Sequence, residues 1–516
     1  MTPPEEANRA WMTIIAVVVL AGVVTAAPAT LGPLLTLLLI AVIVVGTLAW
    51  GGTIPLPGQK PRLLKPGARW ASLSELWAAG WLRRAGGWPL GVRPMLLGLW
   101  RVPVYLPTLR QRQNVLVVAP TGQGKTASIV APAIKAEATT GRSLIIVDPK
   151  GDLAPLVRHA LAATHDVLVW NPGRPDACTV AFEPLAGIPD KDHPRYVSAC
   201  ERAADIYLAA TSYTRAAGGS THAGDRFWST QAANVLKGVV MQRRETNPGE
   251  SLLDIAEYLQ TSSPPLIAKR LNASKIPAAR LRGAVVEELL LNDKARSGVI
   301  GDLYDRFVLL LDTRVKRALG GDGDLPLFAL DAFLARPTAL VLQVDALTDT
   351  TLPLLSVVLA TLMGDLVDRC EGGRPAGRDI RIIIDEAGNL GKIHQLPSNL
   401  ALFRSYGIGQ MIVTQALAQI RGIYGEDDAE TIVSNCVTAL LCGGTTDADA
   451  AWISKRLGML AANMAMPSRS SSGASSTHYQ RQQEPLLRPD EIRQLRYGLV
   501  VETSHLRPSL LKMRQG

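Results

Sequence analysis

The sequence predicts a parallel α/β sheet of the P-loop kind, split by an all-α insertion and preceded by a two-helix transmembrane hairpin. Three observations predict it. Two charge-free apolar runs stand near the start; a strand, a glycine-rich loop, Gly-Lys-Thr and a helical pattern follow one another around Asn114–Thr126; and an apolar strand ending in Asp385-Glu386 arrives only after a long helical excursion. A chain of 516 residues also exceeds what one hydrophobic core usually serves.

The apolar runs extend from Trp11 to Ala27 and from Leu31 to Trp50, with Pro28, Thr30, Gly32 and Pro33 around the break. Each is long enough, or nearly so, to cross a bilayer as a helix. A cleaved signal peptide is the alternative for the first run, but Glu5 and Glu6 precede it and a second run follows at once. Trp11 and Trp50 occupy interfacial positions, and a basic stretch follows Trp50, which sets both termini in the cytoplasm. The expected organisation therefore begins with a hairpin over 1–54 and a basic, Trp-rich juxtamembrane segment over 55–112.

The formal charge of +9 belongs to that stretch. Lys60, Arg62, Lys65, Arg69, Arg83, Arg84, Arg93, Arg101, Arg110 and Arg112 stand against one acid, Glu75, so basicity argues for topology and says little about nucleic acid on the remaining body. Trp70, Trp77, Trp81, Trp88 and Trp100 lie in the same segment, where they rest on headgroups and pack, or stack on bases. The cysteines (Cys178, Cys200, Cys370, Cys436, Cys442) form no CxxC pair and no HExxH spacing occurs, which excludes a zinc motif and a disulfide framework and points to a reducing compartment.

Asn114–Ala119 reads as a buried strand and runs into Ala119-Pro-Thr121-Gly122-Gln123-Gly124-Lys125-Thr126. Thr121, Gly122, Gln123, Gly124, Lys125 and Thr126 are the candidate nucleotide-binding residues. The glycines let backbone N–H groups face phosphate oxygens, Lys125 reaches the β and γ phosphates of ATP, and Thr126 ligates Mg2+. One departure is visible: Ala119 replaces the first glycine of GxxxxGK[ST]. Arg381–Glu386 supplies the partner motif, with Asp385 as the second candidate metal ligand and Glu386 as the general base.

Ser143–Asp148 and His165–Trp170 read as further strands, placing the first part of the nucleotide-binding domain at 113–189. The stretches Tyr196–Ala210, Phe227–Arg243, Leu252–Leu259 and Leu281–Leu311 show helical spacing, so 190–324 is expected to be an inserted all-α domain. Strand signals resume at Ala339–Val344, Ile380–Ile384, Gly409–Thr414 and Ala439–Cys442, giving a second part over 325–516. A Ser-rich segment at 468–477 reads as a flexible loop, followed by a tail with a helical pattern at Pro489–Leu495.

With these motifs in place the chain resembles the type IV coupling proteins of conjugation and type IV secretion systems. The matching stretches are Ala68–Ala71, Val117–Thr126, Asp148–Leu153, Phe227–Ser229, Asp385–Ile393 and Leu486–Ile492, with Ala387-Gly388 a local variant. The resemblance implies a RecA-like domain and a homohexameric ring at the inner membrane. It also implies Mg-dependent ATP hydrolysis coupled to transfer of DNA or protein, and an all-α domain that meets the relaxase or relaxosome and delivers cargo to the channel. It assigns Gln415 as a γ-phosphate sensor, against a strand-end amide with a structural hydrogen bond, and Arg404 as an arginine finger, against a solvated helix arginine. Asp148 and Lys150 match a family signature, with no chemical step assigned. A septal-type double-stranded DNA translocase and a nucleotide-gated substrate receptor without motor work are the other functions considered.

Overall fold

The computed structural model describes residues 68–95, 99–216, 223–344, 351–370, 378–469 and 475–513. The hairpin expected over 1–54 lies outside them. Among the described residues, no helix is long and apolar enough to cross a membrane. The expectation of a multi-pass inner-membrane protein with cytoplasmic termini is corrected on that finding. In the apolar helix Leu352–Cys370, every residue from Pro353 to Gly364 is buried.

Over its described residues the chain divides into two compact units, one of 68–83, 454–469, 475–487 and 505–509, the other of 84–95, 99–216, 223–344, 351–370, 378–453, 488–504 and 510–513. Its strands are β1 (Trp88–Met95), β2 (Trp100–Leu106), β3 (Asn114–Val118), β4 (Ser143–Asp148), β5 (Asp166–Trp170), β6 (Thr338–Gln343), β7 (Ile380–Ile384), β8 (Ile408–Thr414), β9 (Cys436–Cys442), β10 (Met459–Arg469), β11 (Ser475–Pro485), β12 (Gly498–Thr503) and β13 (Leu506–Lys512).

An 11-stranded sheet runs in the order β2-β1-β13-β12-β9-β3-β8-β7-β4-β6-β5. From β9 to β5 every pairing is parallel, while β12 on β9 and β1 on β13 and β2 are antiparallel. Parallel strands joined by crossover helices are covered on both faces, so they read as continuous apolar runs rather than alternating ones. Leu-Ile-Ile-Val in β4 and Ile-Arg-Ile-Ile-Ile in β7 are buried throughout for this reason.

Between β5 and β6 the described chain is helical: Tyr196–Ala216, Ala223–Thr246, Leu252–Thr261, Pro264–Asn272, Pro277–Leu290, Asp293–Phe307, Thr313–Ala318 and Leu330–Ala335. Ser251 starts one of these helices with a capping box closed by Asp254. Tyr207 stacks on Phe307 at 4.6 Å between ring centres, and its hydroxyl donates to the Arg306 carbonyl at 2.8 Å.

Part of the basic, Trp-rich segment enters the sheet as β1 and β2. Trp88 is buried and its indole N–H donates to Glu137 at 2.6 Å, whereas Trp100 is 69% exposed. In the other unit, Trp81 is buried, Ser72 and Glu75 cap helix Leu73–Ala78, and the Ala71 N–H donates to the Pro508 carbonyl at 2.8 Å. β10 and β11 pair as an antiparallel hairpin, so 468–469 and 475–477 of the Ser-rich segment belong to strands, and 470–474 lie outside the described residues.

Candidate functional site

β3 lies between β9 and β8 in the parallel sheet and delivers the loop 119–125 to its carboxyl edge. Gly122 and Gly124 adopt φ of +83° and +72°, a region that strains any side-chain-bearing residue. Ala119 is buried, its N–H donates to the Thr414 carbonyl at 2.9 Å, and it does not share that backbone conformation. Alanine in place of the first glycine is therefore tolerated. The Ser128 N–H closes on the Gly124 carbonyl at 2.8 Å, and the chain winds on as a π-type turn, Thr126–Val130, into helix Ala131–Glu137.

β7 and β8 deliver the partner residues to the same edge. Asp385 is buried, with its backbone N–H bonded to the Val147 carbonyl at 3.0 Å and Oδ2 3.4 Å from the Thr126 hydroxyl. Glu386 is 1% exposed and sits in the left-handed region at φ +58°, a conformation a glutamate holds only under tertiary constraint. Its Oε1 pairs with the ammonium groups of both Lys125 and Lys150. Its Oε2 accepts from Gln415 Nε2 at 2.8 Å, while the Thr121 hydroxyl donates to Gln415 Oε1 at 2.9 Å.

Burial pushes both carboxyls up, and the outcome differs with the partners. Asp385 rises to about 6, because burial and the neighbouring Glu386 charge outweigh the help from Lys125. For Glu386 the hydrogen bonds from Lys125, Lys150 and Gln415 outweigh burial and hold the group below its ordinary value.

Asp148 shapes a turn. Its carboxylate accepts the backbone N–H groups of Gly151, Asp152 and Leu153 at 3.0, 3.3 and 2.7 Å, which directs the intervening Lys150 towards Glu386. Gly388 lies where a Cβ would stand 2.4 Å from Gln419 Oε1, and that oxygen accepts the Gln415 N–H at 3.2 Å. The glycine thus lets the turn after the acid pair press against the residue that holds Gln415. Gln123 receives the Tyr497 N–H at 3.5 Å.

Thr121, Gln123, Lys125, Thr126, Asp385, Glu386 and Gln415 are thus brought to one edge of the sheet. Arg404 is not. It is exposed in the last turn of helix Leu396–Ser405, just before β8 begins, so the length of β8, about 20 Å at strand rise, separates it from Gln415. Sequence reasoning did not find the convergence of Lys150 and Thr121 on this network; the signature Asp148–Leu153 was the available signal. Among the described residues no group of three or more acid, histidine or cysteine side chains could hold a metal. The donor set does fit magnesium: Asp385 Oδ1 is buried and accepts no hydrogen bond, the Thr126 hydroxyl lies against Oδ2 of the same carboxylate, and Mg2+ takes few protein oxygens and keeps its waters.

A parallel sheet with this loop on β3 and an acid pair after β7 defines a P-loop protein with a RecA-like α/β fold. Residues 69–503 match the family model described as Type IV secretory system Conjugative DNA transfer, and the chain belongs to that family. Among similar proteins, the probable conjugal transfer protein TraG of Sinorhizobium fredii is 24% identical over 74% of this chain and 58% of its own length. VirD4 of Agrobacterium fabrum is 24% identical over 83% of this chain and 62% of its own. The chain thus spans about three fifths of these relatives. The bacterial conjugative coupling protein TrwBdeltaN70, solved in complex with sulphate, shares the fold with a TM-score of 0.60 at 17% identity, over 89% of this chain and 96% of that one.

Proposed function

We propose that this protein is a coupling ATPase that hydrolyses ATP with Mg2+ and uses the reaction to drive or gate transfer of relaxase-bound DNA or secreted protein into a type IV secretion channel. Membership of the conjugative DNA transfer family supports the pathway, and the TrwB structures solved with the ATP analogue ADPNP and with ADP and Mg2+ support the nucleotide. One observation carries the chemistry: Lys125, Lys150 and Gln415 converge on Glu386, directly after an Asp385 that faces Thr126.

In this reading Lys125 and the N–H groups of 121–126 grip the phosphates, and Thr126 with Asp385 would hold the metal. Magnesium, when bound, would neutralise phosphate charge and orient the transferring group. Glu386 takes the proton of the attacking water. Gln415 ties that carboxylate to Thr121 of the phosphate loop, a connection suited to sensing the γ-phosphate. Arg404, at the far end of β8, acts as an arginine finger on the nucleotide of a neighbouring copy in a hexameric ring. The inserted all-α domain, 190–324, receives the relaxase or protein cargo, and contacts to nucleic acid are backbone-directed and independent of sequence.

The test compares Lys125→Ala with Glu386→Gln for ATP binding, hydrolysis and conjugative transfer. Loss of binding in the first, and retained binding without hydrolysis in the second, with transfer abolished in both, is the expected pattern. Transfer that survives in both variants sinks the motor and leaves a receptor.

A further inference from the structure

We infer that Lys150 is a positioning residue for Glu386, the cation that keeps this carboxylate aimed while Lys125 is engaged with phosphate; the inference rests on the ATPase reading above.

The two ammonium groups share Glu386 Oε1 but come from different places. Lys125 belongs to the phosphate loop, where its charge is drawn to the β and γ phosphates. Lys150 belongs to the turn after β4, the neighbour of β7 in the sheet, and lies outside that loop. Once a phosphate competes for Lys125, Lys150 is the ammonium group left on Glu386 Oε1, and a base must be aimed at the water whose proton it accepts.

The turn is built to supply it. Asp148, which gathers the three N–H groups behind Lys150, also accepts Gln343 Nε2 at 3.2 Å, and Gln343 Oε1 accepts Asn171 Nδ2 at 3.1 Å. All three side chains are buried at the adjoining ends of β4, β6 and β5. A buried polar chain of this kind is costly unless satisfied, and satisfied it makes its anchor rigid. The lysine side chain itself is 41% exposed, so it can follow Glu386, whose left-handed backbone leaves the carboxylate little freedom. The hydrogen bond and charge of Glu386 in turn hold the Lys150 ammonium above its ordinary value.

The experiment measures ATP hydrolysis, labelled-nucleotide affinity and thermal midpoint for the full chain and for Lys150→Met, Lys150→Arg, Lys125→Ala and Glu386→Gln. Lys150→Met is expected to keep nucleotide affinity within about threefold while kcat falls by about tenfold or more. Lys150→Arg should recover most of the rate with the thermal midpoint unchanged in both. A wild-type kcat in Lys150→Met, with Glu386→Gln inactive, overturns this inference alone. Loss of nucleotide affinity in Lys150→Met as deep as in Lys125→Ala also overturns it, by making Lys150 a phosphate ligand. Absence of hydrolysis in the unaltered chain overturns the ATPase reading and this inference with it.

Discussion

At the amino ends of the parallel strands Arg142 pairs with Glu137 at 3.1 Å, Arg112 pairs with Asp379 at 2.8 Å, and Arg381, which is 0% exposed, donates to the Ile380 and Gly407 carbonyls. At the carboxyl ends two acids stand side by side, both nearby ammonium groups go to Glu386, and Asp385 Oδ1 accepts nothing. Both ends bury charge. The first gives each of these cations a carboxylate or carbonyl partner inside the fold, although Nε and Nη2 of Arg381 make no hydrogen bond, and burial presses Arg381 down to about 10. The second leaves a carboxylate oxygen open and gives one acid two cations, so partners can be exchanged there. Neither burial nor an unsatisfied polar atom separates the two ends; an open carboxylate oxygen beside two cations that share the neighbouring acid does.

Breaking the carboxyl end at Lys125 should have the largest effect on activity. Lys125→Ala is expected to abolish nucleotide binding and lower hydrolysis by about a thousandfold, read by nucleotide titration and phosphate release. Glu386→Gln should lower hydrolysis by roughly a hundredfold or more and leave affinity within a few-fold. If it binds no nucleotide, the carboxylate is structural and the contrast between the two ends collapses.

Breaking the amino end should cost stability instead. Glu137→Ala strands the buried Arg142 guanidinium and leaves the Trp88 indole without its acceptor, for a loss of about 3–5 kcal/mol in chemical denaturation at unchanged kcat per folded molecule. A third site sharpens the comparison, because there an acid is buried with backbone donors and no ion pair. Glu183 accepts the N–H groups of Leu185 and Leu252 at 2.9 and 3.0 Å, and burial pushes it up to about 7. A folded value above the ordinary 4.5 means that the fold binds the proton more tightly than the unfolded chain does. Its contribution to stability is therefore full below the ordinary value and declines as pH rises through about 7. Glu183→Gln should flatten that part of the profile, measured as thermal midpoint against pH. The smallest effect is expected from Arg404→Ala: nucleotide affinity unchanged, with hydrolysis reduced only at concentrations where copies associate.

The phosphate loop and the acid pair were legible because each is local. β3, the glycines and the helix follow one another within a few residues, and an apolar strand ending in two acids announces itself. The helical character between β5 and β6 was legible from its spacing, since amphipathic periodicity needs only neighbours along the chain. The roles of Asp148 and Lys150 were not, because Lys150 meets Glu386 across two strands that are far apart in sequence and adjacent in the sheet. The segment rich in basic residues and tryptophan read as a membrane-proximal stretch, because spacing does not reveal that Trp88 would find Glu137 under an antiparallel edge.

By itself the sequence determined that a strand running into a glycine-rich Gly-Lys-Thr loop and an apolar strand ending in two acids exist, and that helices separate them, because backbone conformation and burial pattern are written in adjacent residues. Only the tertiary structure decided which cations the acids meet and that Arg404 stands at the other end of the sheet. Strand order and parallel register arise from packing between distant segments, and no spacing along the chain encodes them.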